Sequence, residues 1–161
     1  MITQVDKIIV YHNEDLVGTL QMTPDGKSCV FEYSQQWLRD GFALSPLELP
    51  LSSDLLYAQP DKFDGNFAVF EDSMPDGYGL YLIDRMLRTE GFQLKNLTPL
   101  QRLAIVGSSG MGALRYEPYI ELDKSDMKVS MDQLDEVQQK ALDILSEKDE
   151  GDESLLYYNS A

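Results

Sequence analysis

Three short, mostly apolar runs near the start of the chain predict three strands. The runs 7–12, 16–20 and 29–33 are rich in β-branched, aliphatic and aromatic residues, which favour strands. The segments between them, Asn13-Glu14-Asp15 and Thr23-Pro24-Asp25-Gly26, have the composition of turns. Strands joined by such short turns pair antiparallel, so the sequence predicts a meander.

Apolar residues at helical spacing predict helices further along. Ser34 can cap a short helix that ends at Gly41, and Leu80, Ile83 and Leu87 form one stripe of a second. The run Thr98-Pro99-Leu100-Gln101 combines a capping box with proline at the first helical position. The three longer predicted helices cover residues 76–90, 98–106 and 131–147.

The fold class follows from the order of these elements. Residues 45–51 contain two prolines, which exclude a central strand, so they predict an extended edge segment. We therefore predict an α+β fold. A curved, barrel-like antiparallel sheet, made from the first 70 residues and a strand at 113–120, packs against three to four helices. Phe67, Phe70, Leu80, Ile83, Leu103 and Leu114 are the predicted core.

Composition narrows the classes of function that this chain can have. The 161 residues carry a formal net charge of −15, which disfavours direct nucleic-acid binding because phosphates are repelled. No apolar run is long enough for a membrane span, and one cysteine excludes a disulfide framework. The simplest setting is cytoplasmic. The acidity is explained either by solubility or by a surface that docks a basic partner.

Glycine and proline mark the predicted turns, which are Pro75, Gly77, Gly107, Gly110 and Gly112. The densest stretch, 107–112, superficially resembles a phosphate-binding loop. Such loops follow a strand and open a helix, whereas here a predicted helix precedes and a strand follows. A helix end that turns into a strand is the favoured interpretation, and a phosphate contact is the alternative.

Candidate chemistry is sparse. His12 and Cys29 are the single histidine and cysteine, which leaves a His12–Cys29 pair as a minor possibility and cannot supply a zinc site. Carboxylates cluster at 61–76, but nothing selects a catalytic pair among them. The acidic run 147–153 lacks the ligand spacing of a calcium loop. We assign no catalytic, cofactor-binding or metal-binding residue.

Two segments resemble a known family. One is Phe67-Ala68-Val69-Phe70-Glu71-Asp72-Ser73-Met74-Pro75-Asp76-Gly77, followed by a helix; the other is 97–118, with Gly110-Met111-Gly112-Ala113-Leu114-Arg115-Tyr116-Glu117-Pro118. Their order and spacing are similar to the N-terminal subdomain of HipA-type serine/threonine kinases. The segments Val17-Gly18-Thr19-Leu20 and Pro46-Leu47-Glu48-Leu49-Pro50-Leu51 also match. The resemblance implies a HipA-like N-terminal subdomain at 1–122 and a helical connection at 123–161 towards a kinase core that this chain lacks.

The resemblance implies a non-catalytic regulatory or docking part. The full-length kinase of such a toxin–antitoxin system would phosphorylate proteins with ATP and magnesium, whereas this chain holds no cofactor. Its partners would be the kinase core in cis and a DNA-binding antitoxin of HipB type. Because the chain stops soon after the apolar segment 155–158, we expect it to be a fragment of that longer kinase.

Two alternatives stay open. The chain could be a stand-alone small protein of the same fold that binds and neutralises a separately encoded kinase, or an unrelated enzyme or binding module using carboxylates at 61–76. Trp37, Tyr78 and Tyr81 are the predicted partner contacts if exposed, because aromatic residues dominate interfaces. Otherwise they fill the core.

Overall fold

Five strands and four α-helices lie in residues 4–122, the part of the chain that the computed structural model describes. The strands are β1 (Lys7–His12), β2 (Asp15–Met22), β3 (Cys29–Tyr33), β4 (Leu56–Tyr57) and β5 (Leu114–Glu117). The helices are α1 (Gln35–Asp40), α2 (Ala68–Glu71), α3 (Gly77–Thr89) and α4 (Pro99–Val106), with 3-10 turns at Phe63–Gly65 and Leu94–Asn96. Residues 4–75 and 93–122 belong to one compact unit, and residues 76–92 belong to a second.

The sheet lies in the first unit and is antiparallel throughout, in the order β4-β3-β2-β1-β5. Its three N-terminal strands pair in chain order, which confirms the predicted meander. The last strand, β5, returns after α4 and pairs with β1, so that Tyr116 lies opposite Val10. Within the described residues the sheet is open, with β4 and β5 at its edges. The predicted α+β fold is confirmed, and the barrel-like sheet does not close.

One face of the sheet carries the core. Alternate residues of β3 are buried, as expected for a strand with one face towards the interior. The Phe31 ring packs edge-to-face on Tyr33 and tilts against Phe70, while α4 contacts β1, β2 and β5. Of the predicted core residues in this unit, Phe67, Phe70 and Leu103 are buried and Leu114 is half-buried.

Local signals set the ends of α1 and α4. The Ser34 hydroxyl accepts a hydrogen bond from the Trp37 N–H at 3.0 Å. At α4, Thr98 accepts from the Gln101 N–H at 3.2 Å, and the Gln101 side chain accepts from the Thr98 N–H at 3.0 Å. These hydrogen bonds confirm both predicted caps. Each cap stabilises its helix because it satisfies N–H groups that lack partners within the helix.

The second unit contains α3, which confirms the predicted helix at 76–90. Asp76 caps it by accepting from the Gly79 N–H at 3.0 Å. Leu80 and Leu87 are buried, whereas Ile83 of the predicted stripe is half-buried. The predicted helix at 131–147 and the predicted connection at 123–161 lie outside the described residues.

The prediction of an extended edge segment at 45–51 is wrong. Residues 45–49 form a turn closed by a bridge between Ser45 and Leu49, and the edge of the sheet is β4 instead. Proline disfavours a central strand, but it is compatible with both an extended edge segment and a turn. The two prolines therefore could not distinguish an edge segment from a turn.

Candidate docking surface

A loop after α1 is held against the sheet by the hydroxyl of Tyr33, the last residue of β3. This hydroxyl donates to the Leu49 carbonyl at 2.7 Å and accepts from the Leu44 N–H at 2.9 Å. Tyr33 is buried and Leu49 is fully buried. Both ends of the loop segment 44–49 are therefore fixed by one side chain of the core.

The turn at 45–49 is braced from within and from α2. The Leu49 N–H donates to the Ser45 carbonyl at 2.9 Å, and the Glu48 N–H donates to the Ser45 hydroxyl at 3.3 Å. The Glu48 carboxylate accepts from the Ala68 N–H at 3.0 Å, which ties the turn to the first residue of α2. Between these anchors Leu47 is 93% exposed. The fold holds a leucine in water at the tip of an ordered turn.

An aromatic group lies just before this turn. The Phe42 ring contacts Trp37 with centroids 5.0 Å apart and His12 at 5.6 Å, and the Trp37 indole N–H donates to the Phe42 carbonyl at 2.9 Å. Gly41 permits this packing, since a Cβ there would lie 2.5 Å from the indole ring. Phe42 is exposed, whereas Trp37 is 6% exposed. For Trp37 the core alternative therefore applies, and Phe42 is the exposed member of the group.

Further exposed apolar side chains follow the turn up to β4. We call the exposed apolar side chains between residues 42 and 57 the apolar loop; its members are Phe42, Leu47, Leu51, Leu55 and Tyr57. Tyr57 lies in β4, opposite Val30 of β3. Isolated exposed apolar residues are ordinary, but five within sixteen positions make this segment a candidate interaction surface.

The charge along the apolar loop has one sign. Between Arg39 and Lys62 the sequence has no lysine or arginine, and it has four acidic residues, Asp40, Glu48, Asp54 and Asp61. This segment of the chain therefore combines exposed apolar side chains with negative charge. Sequence reasoning did not select this surface, although the missing basic residues were a visible signal.

The other two predicted partner contacts belong to α3. Tyr78 is 44% exposed and Tyr81 is half-buried. Pro75 lies directly before the cap Asp76, and Gly77 is the first residue of the helix. Whether Tyr78 and Tyr81 contact a partner stays a prediction.

The glycine-rich stretch 107–112 connects α4 to β5, which is the predicted order of helix, turn and strand. Gly107 has φ 54° and ends α4, with its N–H donating to the Leu103 carbonyl at 2.9 Å. Gly112 has φ 99°. Gly110 is not among the glycines with positive φ, but it sits where a Cβ would lie 2.5 Å from the Val106 side chain. Backbone conformation and close packing account for all three glycines.

His12 and Cys29 do not form a catalytic pair. They lie on β1 and β3, which are separated by β2. The thiol of Cys29 contacts the Met22 sulfur at 3.6 Å, whereas the His12 ring contacts Trp37 and Phe42. Burial raises the pKa of Cys29 from 9.0 to about 12, which keeps it a thiol at neutral pH, and the thiolate is the reactive form.

Three of the five carboxylates at 61–76 serve as structural partners. Asp64 pairs with the buried Arg102 of α4 at 2.9 Å, Glu71 accepts from the Asn66 amide at 3.0 Å, and Asp76 caps α3. Within residues 4–122 no group of three or more histidine, cysteine or acidic side chains could hold a metal ion. Sequence analysis did not predict the buried role of Arg102. It lies on the same face of α4 as Pro99, Leu103 and Val106, where a buried cation needs a partner.

Within the described part of the chain, no helix is long and apolar enough to cross a membrane.

Comparison with known families gives a match over most of the described residues. A family model described as "HipA N-terminal domain" matches residues 8–117, which is more than half of the 161 residues. The match spans the whole sheet except Lys7, together with all four α-helices. A search of curated proteins found no match.

Proposed function

Because the chain belongs to the HipA N-terminal domain family, we propose that it is the non-catalytic regulatory or docking part of a HipA-type serine/threonine kinase in a toxin–antitoxin system. The full-length protein would transfer phosphate from ATP, with magnesium, to a protein substrate. The partners of this part would be the kinase core, joined in cis, and a DNA-binding antitoxin of HipB type. The single cysteine favours a cytoplasmic setting.

The observation that carries the proposal is the apolar loop. Its turn is fixed by Tyr33 and Glu48, yet it leaves Leu47 in water. Burying a leucine side chain is worth about 1.5–3 kcal/mol. A surface that forgoes this gain while remaining ordered is suited to bury the side chain against another protein.

The described residues support a non-catalytic role. Their one thiol is buried with a raised pKa, and Asp64, Glu71 and Asp76 of the acidic segment are engaged in structural contacts. The His12 ring contacts the rings of Trp37 and Phe42 and the side-chain amide of Asn13, and none of these groups is a nucleophile. Docking therefore fits these residues better than chemistry.

The test uses the full chain and a HipA-type kinase core from the same genome, produced without its own N-terminal subdomain. We expect the chain alone to transfer no phosphate from ATP and magnesium to a protein substrate. We expect it to co-elute with the kinase core in size-exclusion chromatography and to change the rate of phosphate transfer by that core. Phosphate transfer by the chain alone, or no complex at micromolar concentrations, would contradict the proposal.

Reading the gene beyond the codon for Ala161 separates this proposal from the stand-alone alternative. A glycine-rich loop and a kinase core in the same reading frame place the docking module in cis. A stop codon makes the chain a separate protein that acts on a kinase in trans.

A further inference from the structure

We propose that the apolar loop binds a cationic amphipathic segment of a partner protein, in which leucine-like side chains lie beside lysine or arginine. This rests on the proposed docking function and specifies the surface used and the chemistry of its partner.

Preorganisation is the first step of the argument. Three hydrogen bonds hold the turn at Ser45 and Leu49, and a fourth reaches Ala68 of α2. The turn that carries Leu47 therefore loses little conformational freedom when a partner covers it. A preordered surface binds more tightly than a mobile one with the same contacts.

The side chains exposed on this support are the second step. Leu47 and Tyr57 are 93% and 63% exposed, and Phe42 stands on the buried Trp37. Aromatic residues are enriched among the residues that dominate interfaces. The partner must therefore offer apolar side chains in return.

Charge selects among apolar partners. Four carboxylates accompany the apolar loop without a lysine or arginine between residues 40 and 61. A second copy of this chain, whose net charge is also −15, would bring the same negative surface against it, as would anionic lipid. Opposite charge on the partner instead speeds encounter and fixes orientation.

The probe is a pair of synthetic peptides of equal length and equal positive charge, both free of tryptophan. One carries leucine at positions i, i+3, i+4 and i+7 with lysine between, and the other has alanine at the leucine positions. Calorimetry with the full chain measures both affinities. Trp37 is the only tryptophan and touches Phe42, so its fluorescence reports contact at the loop.

We expect the leucine peptide to bind about tenfold more tightly than the alanine peptide, a difference of about 1.4 kcal/mol. Leu47→Ser removes most of this difference. The matched control is Met111→Ser, which removes a 57% exposed side chain from the turn before β5 and leaves the difference unchanged. Circular dichroism of each variant confirms that it is folded.

Charge is tested separately. The double variant Asp40→Asn with Asp61→Asn lowers the affinity for the leucine peptide several-fold at low salt. It also lowers the salt dependence of binding. Asp72→Asn with Glu121→Gln changes net charge equally at exposed positions that do not flank the loop in sequence, and we expect a smaller effect.

Equal binding of both peptides, or equal losses in Leu47→Ser and Met111→Ser, overturns the inference and leaves only a general attraction to cations. That result does not touch the docking proposal, because a complex with the kinase core can form through another surface. Conversely, loss of the kinase complex with intact peptide binding overturns the proposed function alone.

Discussion

The carboxylate of Glu48 accepts a hydrogen bond from the backbone N–H of Ala68 at 3.0 Å, although twenty residues separate them. It thereby joins the turn that carries Leu47 to the first residue of α2. The same contact satisfies an N–H group that has no partner inside the helix. One polar side chain thus links the candidate docking surface to the core segment that contains Phe70.

The first prediction concerns this contact. Glu48→Ala lowers the free energy of unfolding by about 1 kcal/mol, the usual loss when a capping side chain is removed. Glu48→Gln keeps an oxygen acceptor and costs less. Urea denaturation of both variants measures the difference. Equal stability of the alanine and glutamine variants would show that the hydrogen bond contributes nothing.

The second prediction concerns Asp64, which pairs with Arg102 and has φ 55°. Asp64→Asn removes the charge but tolerates the left-handed conformation, and because this carboxylate is largely exposed we expect a loss of about 1 kcal/mol. Asp64→Ala adds backbone strain of about 1 kcal/mol more. Thermal denaturation should rank wild type above asparagine and asparagine above alanine. The reverse order of the two variants would contradict the strain argument.

The third prediction concerns Gly112, whose φ of 99° disfavours every residue with a Cβ. A Cβ here would meet no atom within 4 Å, so the cost of Gly112→Val comes from the backbone alone. We expect a loss of about 2 kcal/mol in chemical denaturation. The control is Ala113→Val at the next, exposed position, which should change stability little. Unchanged stability of Gly112→Val would show that the turn does not need glycine.

The fourth prediction concerns alkaline pH. Burial raises the pKa of Cys29 from 9.0 to about 12, so the unfolded chain releases this proton at lower pH than the folded chain. The protonated Cys29 thiol therefore contributes to the free energy of unfolding in full below pH 9. This contribution declines as the pH rises towards 12, by about 1.4 kcal/mol per pH unit. Urea midpoints measured from pH 8 upwards should fall more steeply for wild type than for Cys29→Ala. Parallel slopes would place the thiol in contact with water.

Part of this fold follows from neighbours along the chain. The turns between β1, β2 and β3, the caps Ser34 and Thr98, and the helix-to-strand turn at 107–112 each depend on residues a few positions apart. Turn chemistry and capping act over such distances, so the sequence alone predicted the meander, α1, α3 and α4. The motif order also indicated the family that the comparison confirmed.

Tertiary structure decided the rest. Whether 45–51 forms a strand or a turn depends on Tyr33 and Ala68, which lie far away in sequence. The burial of Trp37 depends on Phe42 and His12, and the role of Asp64 on Arg102. The patterns of apolar and charged residues along the sequence indicate which residues could be buried or paired. Only the folded chain brings specific partners within contact distance. The sequence therefore determined the meander, the helices α1, α3 and α4, and the family, whereas packing decided α2, β4 and the surface that remains exposed.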